Sequence, residues 1–433
     1  MRGQKIMPNR RLATCTLRTS IFLILISTLA TASAVATASG LATAATLATA
    51  AARAAAPVAD GASAKGAVPT AGASAPDTTP EFLAPPYLFT QAGEKIKISW
   101  SYEPTQRPIE PVSAILNQRW GRQKLNVTQE NELYTAELPI ATCGFDENLT
   151  YQVTGMMAAE KINAIPCPDD DMSEVKFVFL ADTQANTKDG TKPVREFAER
   201  AARFGAQAVV IGGDLVQTGA KFNLWTQFFR AMQPALKQTM LVPVMGNHEY
   251  HGDSFVPNWA HFFKVEASEA SYTTYLGEVQ IIALNSSFTD DPSLVLPQKL
   301  WLESQLMLTQ PRWRIVVFHH PPFSIGLANS PLYPKKEFKT LQQEYVPLFE
   351  KYHVDLVLNG HVHLFERSEK EHVQYLITGP AGGKIGAYGG TNPHSIKAAR
   401  IRTMIELTAS HNQLTASTID LQGHVVDELK LKK

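Results

Sequence analysis

The stretch "KFVFLADTQ" (residues 176–184) is apolar from Phe177 to Ala181 and stops at Asp182. A carboxylate sits poorly inside an apolar strand, because burying an unpaired charge is costly. Asp182 therefore marks a strand end and calls for a partner there, and Gln184 is the next long polar side chain. The same texture recurs downstream in "AQAVVIGGD", "MLVPVMGNHE", "VQIIALNSS", "WRIVVFHH" and "VDLVLNGHVH". Between these runs the pattern predicts helices near 193–204, with Pro193 at the start, and near 222–236, 297–308 and 338–352. Strands alternating with helices, and apolar on both faces, give an α/β fold with the sheet covered on both sides. From 373 onward the chain reads mainly as β, with a Gly-rich loop "GPAGGKIGAYGG" at 379–390.

Five of the strands end in polar clusters of related chemistry. These are Asp182 with Gln184, Asp214, Asn247 with His248, His319 with His320, and His361 with His363. Functional groups in α/β sheets gather outside the carboxyl ends of strands. Asp182 and Asp214 are 32 residues apart and Asp214 and Asn247 are 33 apart, about one strand–helix–strand unit each. Carboxylate, amide oxygen and imidazole are ligands for hard or borderline divalent ions. One Asp could bridge two ions, and His361 and His363 could each face one. Two ions ~3.5–4 Å apart would turn a bridging water into hydroxide and clamp a phosphoryl group for in-line displacement. Glycines before Asp214, Asn247 and His361 leave room where a Cβ would crowd such a site. Taken singly, each fragment has an ordinary explanation as a cap, a turn or a solvated loop. Those explanations do not predict metal-compatible residues at one strand end after another. The remaining histidines read as structural, with His251 and His394 as candidates for contacts behind the ligands or with substrate.

The upstream chain has a different texture. Residues 1–38 hold Arg2, Lys5, Arg10, Arg11 and Arg18 with no acids, then the apolar "IFLILISTLA" and small residues. That is the pattern of a signal peptide, and the apolar run is short for a membrane span. Residues 39–80, rich in Ala, Thr, Gly and Pro, read as a disordered linker. Short strands such as "KIKISWSY" and "LTYQVTG" in 81–170 read as a small β-sandwich domain, followed by an α/β domain over 174–433. Cys143 and Cys167 remain after signal removal and would pair as a disulfide in an oxidising compartment. Without the leader the chain carries 35 basic against 40 acidic residues, which is no footprint for nucleic acid or an anionic membrane.

In order, "D-x-Q … GD … GNHE … HH … GHVH" resembles the calcineurin-like metallophosphoesterase superfamily, and the preceding sandwich looks like the amino-terminal fibronectin-like domain of purple acid phosphatases. The resemblance implies two central mixed β-sheets flanked by helices, an α/β/β/α sandwich preceded by a small all-β domain. It implies that Asp214 bridges two metal ions, divalent or of mixed valence and drawn from Fe, Zn or Mn. Asp182 and His363 would bind the first, Asn247, His319 and His361 the second. Gln184 stands where many members carry His, and Gln217 where purple acid phosphatases carry a metal-bound Tyr. Either Gln could offer an amide oxygen, and the missing Tyr implies a non-purple enzyme. His248 corresponds to the catalytic histidine, with Glu249 and His320 as candidates for supporting contacts behind the ligands. The implied activity is hydrolysis of small-molecule phosphomonoesters by an exported enzyme, periplasmic or secreted, through attack of a metal-bound hydroxide. A phosphodiesterase acting on nucleotides or lipid head groups, or a non-catalytic surface binding protein with a degraded metal site, are the other readings. The loops at 250–270, 322–337 and 383–396 should set the substrate, with Lys335, Lys336 and Lys384 as candidate phosphate contacts.

Overall fold

The computed structural model describes residues 81–89, 96–108, 111–119, 121–139, 149–163, 174–185, 190–265, 270–288, 291–308, 310–326 and 335–433. The expected leader, linker and Cys143–Cys167 disulfide lie outside the described residues, as do the side chains of Lys335 and Lys336.

Eight strands come before the α/β region. They are β1 (Phe82–Phe89), β2 (Lys97–Tyr102), β3 (Ala114–Gln118), β4 (Gly121–Leu125), β5 (Val127–Glu130), β6 (Leu133–Glu137), β7 (Thr150–Val153) and β8 (Glu160–Lys161). Next come β9 (Val175–Leu180), helix α1 (Thr191–Phe204), β10 (Ala208–Gly212), α2 (Phe222–Leu236), β11 (Met240–Val244) and the short α3 (Pro257–Phe263). The chain continues through β12 (Tyr272–Leu276), β13 (Val279–Ala283), α4 (Val295–Leu308) and β14 (Trp313–Val317). A broken helix follows, α5 (Lys335–Thr340) and α6 (Val346–Lys351), and then β15 (Leu356–Asn359), β16 (Phe365–Lys370) and β17 (Val373–Ile377). The remaining strands are β18 (Ser395–Ala399), β19 (Thr403–Ala409), β20 (Gln413–Asp420) and β21 (Val425–Lys432).

Alternation along the strands builds the layers, since successive side chains point to opposite faces. Phe177 and Phe179 of β9 join Val210, Ile281, Ile315, Val317 and Leu358 in one core between two sheets. Val178 and Leu180 point the other way, into a second core with Val194, Phe197, Ala198 and Ala201 of α1. That i, i+3, i+4, i+7 spacing is one helix face. Ile282, Val316 and Val357 face a third core with Leu302 and Leu306 of α4. The result is helix, ten-stranded sheet, seven-stranded sheet, helix, the α/β/β/α arrangement expected.

Two details differ from expectation. The helix expected over 338–352 is interrupted by a π-turn at Leu341–Tyr345. Pro347 follows at the start of α6 and has no N–H to give, which accounts for the local rewiring. The second concerns the sandwich. Its strands β1, β2, β6 and β5 form one end of the ten-stranded sheet, because β1 pairs in parallel with β11 through Leu88–Met240 and Phe89–Leu241. A four-stranded sheet, β4-β3-β7-β8, covers this end, and Trp100, Leu116 and Tyr151 share the inter-sheet core with Phe177. Tyr87 of β1 stacks on Phe229 of α2 with ring centroids 4.2 Å apart, and its hydroxyl donates to the Phe262 carbonyl at 2.7 Å. The sheet is therefore continuous across residue 170, and residues 76–433 cluster as one compact unit.

No helix among the described residues is long and apolar enough to cross a membrane. The shared sheet makes a prediction. Shortening the chain to begin at Glu174 exposes the edge of β11 that pairs with β1 and strips one end of the core. The product is expected to be insoluble or to lack a cooperative thermal transition, whereas a soluble fragment with a sharp melt would show the shared edge to be dispensable.

Candidate functional site

Strands β9, β10 and β11 are parallel neighbours in one sheet, and β14 and β15 are parallel neighbours in the other. Their carboxyl ends share a rim, and the predicted residues stand just beyond them. Asp182 (φ +55°), Asp214 (φ +54°), His361 (φ +72°) and His363 (φ +57°) all adopt the left-handed region. Non-glycine residues pay a conformational cost of order 1–3 kcal/mol there, and such residues gather at functional sites. The chain tolerates it because the loops are tied to each other: Asp182 N donates to Gly213 O, and Gln184 N to Asp214 O. Close approach also demands glycine. A Cβ at Gly246 would lie 2.3 Å from Asp214 Oδ1, and one at Gly360 would lie 2.9 Å from Asp182 Oδ2.

The rim carries two donor clusters. In the first, ligand atoms of Asp182, Asp214 and His363 lie within 4.8 Å of one another. His361 N donates to Asp182 Oδ1 at 3.0 Å, and His363 Nε2 lies 3.4 Å from the same oxygen. His363 Nδ1 donates to the Lys384 carbonyl at 2.6 Å, which turns Nε2 toward the cluster. Gln184, buried, places Nε2 3.2 Å from both Asp214 Oδ2 and His363 Nε2.

The second cluster joins His319, His320 and His361, again with ligand atoms within 4.8 Å. His319 donates Nδ1–H to the Gly212 carbonyl at 2.8 Å, leaving Nε2 3.1 Å from Asp214 Oδ2 and 3.2 Å from His361 Nδ1. Asp214 thus touches both clusters. Asn247 Oδ1 and Gln184 Oε1 are buried with no hydrogen-bond partner among the described residues. Buried amide oxygens without partners are uncommon, and a cation is one thing that satisfies them. With two carboxylates and four imidazoles, the donor set fits divalent ions.

Electrostatics set the charge on each group. Burial alone would raise the Asp214 carboxyl, but His319 and then His248 hold it well below the usual carboxylate range. Burial resists charge on His319, yet Asp214 outweighs it and pushes the imidazole up to about 9. His320 is lowered to about 3 by burial and by His319, and His361 is lowered by burial and by both of these histidines. Burial also resists charge on His363, but Asp182 raises it. Glu249, fully buried, accepts from the backbone N–H of Asp214 (3.0 Å), Gly246 (2.7 Å), Leu215 (2.8 Å) and Val216 (3.3 Å). Burial and the nearby Asp214 push its carboxyl up to about 8, against those donors.

His248 stands beside the clusters. Its backbone N–H donates to Asp214 Oδ1 at 2.9 Å, and Nε2 lies 3.8 Å from Asp214 Oδ2. Nδ1 donates to the Gln217 carbonyl at 2.7 Å, with the Gln217 amide 3.0 Å away. The structure therefore separates the two glutamines: Gln184 is in the first cluster and Gln217 lies against His248. His251 packs against His248 with centroids 4.2 Å apart and planes tilted by 52°, while His394 packs edge-on to Phe323. Lys384 contributes its carbonyl to His363, and its side chain is exposed. His320 is nearer the metal-compatible groups than a purely supporting role requires, although its Nδ1 is engaged by Ser286 Oγ at 2.9 Å. Ser286 was not singled out in the sequence, yet "LNSS" is another polar strand end and carries the same signal. Gly382 and Gly383, whose N–H groups cap the Asp182 carbonyl at 2.9 and 3.0 Å, show what the Gly-rich loop does.

Residues 175–365 match the calcineurin-like phosphoesterase family. A purple acid phosphatase of Glycine max is 32% identical over 184 residues, with 38% of each chain covered. Fe(3+)-Zn(2+) purple acid phosphatase 12 of Arabidopsis thaliana is 29% identical over 188 residues, again with 38% of each covered. The chain thus spans about two fifths of the length of the curated relatives it matches. Among solved structures, purple acid phosphatase PPD1 from yellow lupin (Lupinus luteus) shares the fold with a TM-score of 0.65 at 17% identity, covering 80% of this chain and 74% of that one. PhoD shares it with a TM-score of 0.60 at 12% identity, covering 83% and 94%.

The Glu249 clamp is testable without any activity. A glutamine keeps the shape but has one acceptor oxygen for four donors, so Glu249→Gln is expected to destabilise the fold by about 2–3 kcal/mol in urea unfolding at a pH above about 8, where the carboxylate is populated. A change under about 0.5 kcal/mol would mean that those N–H groups are satisfied without the carboxylate.

Proposed function

We propose that this chain, in which residues 175–365 form a calcineurin-like phosphoesterase domain, hydrolyses phosphomonoesters of small molecules with the help of two divalent metal ions. The observation that carries the reading is the pair of donor clusters meeting at Asp214, with His248 beside them. Asp182, Asp214 and His363 would hold one ion, with Gln184 beside it. Asp214, Asn247, His319 and His361 would hold the other, and His320 is a further donor within reach. When bound, such ions activate water and neutralise the phosphoryl oxygens.

The chain's own groups do the rest. The Gln217 carbonyl fixes Nδ1 of His248 as the protonated nitrogen, so Nε2 is the atom turned toward the rim. As the imidazolium, with a proton on Nε2 as well, it can donate to a phosphoryl oxygen or give that proton to the leaving oxygen, a contribution of about 10²–10⁴-fold in general acid catalysis. His251 packs against the same ring, with centroids 4.2 Å apart. Glu249 holds the backbone that presents Asp214. With Gln217 in place of a phenolate ligand, the iron-loaded protein should show no tyrosinate colour. Export to the periplasm or the medium is supported by the basic and apolar leader in the sequence.

Two measurements test this together. Metal analysis of the purified protein should find up to two ions per chain, and an aryl phosphate monoester should be turned over faster than its diester. His248→Ala should lower kcat by about 10²-fold or more with the metal content kept. Asn247→Ala should lose both turnover and bound metal. Faster cleavage of the diester would move the substrate class, and near-normal rates in both variants would defeat the residue roles.

A further inference from the structure

Gln184 is 2% exposed, and its amide is set among the groups of the first cluster. Its nitrogen faces Asp214 Oδ2 and His363 Nε2, both at 3.2 Å, and its oxygen has no partner among the described residues. Amide oxygen and nitrogen differ only in what they can bond, so the partners decide the orientation. Asp214 Oδ2 is an acceptor. His363 gives Nδ1–H to the Lys384 carbonyl, so in the neutral ring Nε2 is an acceptor too. Asp214 Oδ2 therefore holds the NH₂ group toward the cluster, with Nε2 of the neutral His363 ring as a second acceptor. Turning the amide over would put Oε1 at that place, oxygen against a carboxylate oxygen 3.2 Å away. That contact is repulsive unless a cation lies between them.

We infer that Gln184 is a reversible stopper of the first cation position. Without an ion, its NH₂ group draws Asp214 and His363 together and satisfies them. An ion enters only when the amide turns and offers Oε1. Entry thus breaks the contacts of the amide with Asp214 and His363, and the amide oxygen gained is a neutral ligand. The donor sets differ as well. The first position is rich in oxygen (Asp182, Asp214 and Gln184) and suits a hard ion such as Mn²⁺ or Mg²⁺, whereas His319 and His361 give the second an imidazole character suited to Zn²⁺. The first position should exchange its ion with the medium, so that the working state of the protein follows the free concentration of hard divalent cations. This inference rests on the two-metal reading proposed above.

Calorimetric titration of the chelator-stripped full chain with Mn²⁺ tests it. Binding is expected in two phases at least tenfold apart in Kd. Gln184→Glu, which presents oxygen in either orientation, should tighten the weaker phase at least tenfold and leave the tighter one in place. Gln184→His should do the same without adding a charge, and circular dichroism would verify that both variants fold. Asn247→Ala should weaken the tighter phase alone. Two phases of equal affinity in the unaltered chain, or a weaker phase that neither Gln184 variant moves, would overturn the inference. Absence of any binding would instead remove the two-metal reading, and the inference with it.

Discussion

The Asp214 carboxylate is 1% exposed at the carboxyl end of β10, between two parallel neighbours, and cannot retreat into solvent. An uncompensated charge in that position costs several kcal/mol. The rim is organised around making this charge tolerable: His319 and His248 bring positive potential, the His248 N–H donates directly, and Gln184 turns its NH₂ group inward. The second buried carboxyl, Glu249, is pushed up by burial and by Asp214 and gathers four backbone N–H groups. Those same N–H groups belong to the turns after β10 and β11, so the side chain that gathers them fixes the backbone that aims Asp214. Replacing a single member of this set therefore disturbs charge balance and loop geometry together.

The scaffold and the site use opposite kinds of backbone. Strands β9, β10, β14 and β15 are regular, buried on both faces and locked by three apolar cores. Just beyond them, Asp182, Asp214, His361 and His363 sit in left-handed conformations. A side chain leaving an extended strand points across the sheet face; a left-handed residue reverses the chain and swings its side chain over the strand end. The strain is local, and the packed sheets below are stiff enough to hold it.

Much of this was legible because strand-end chemistry is written in the order of the residues. Apolar runs stopping at Asp182, Asp214, Asn247, His319 and His361 predicted both the parallel strands and the shared rim. What was not legible depended on the backbone. The pairing of β1 with β11 joins residues about 150 apart through main-chain bonds, and no side-chain pattern encodes it. The same holds for the carbonyls of Gln217, Gly212 and Lys384, which set the tautomers of His248, His319 and His363. Any residue but its neighbour's shape could supply such an oxygen, so its identity carries no signal.

The two glutamines show where composition stops being informative. Gln184 and Gln217 follow Asp182 and Asp214 at similar short distances, and both could have supplied a ligand oxygen. The turn geometry assigns them differently, Gln184 into the first cluster and Gln217 against the imidazole of His248. The first cluster therefore carries the charge of Asp182 and the shared Asp214, while the Gln217 amide lies 3.0 Å from Nδ1 of His248. A cluster with less negative charge binds cations less strongly, so a neutral amide at Gln184 becomes able to compete with an ion for Asp214 and His363. An anionic ligand at either position would tilt that competition toward the ion; with glutamine at both, the balance stays close enough to be set by the surroundings.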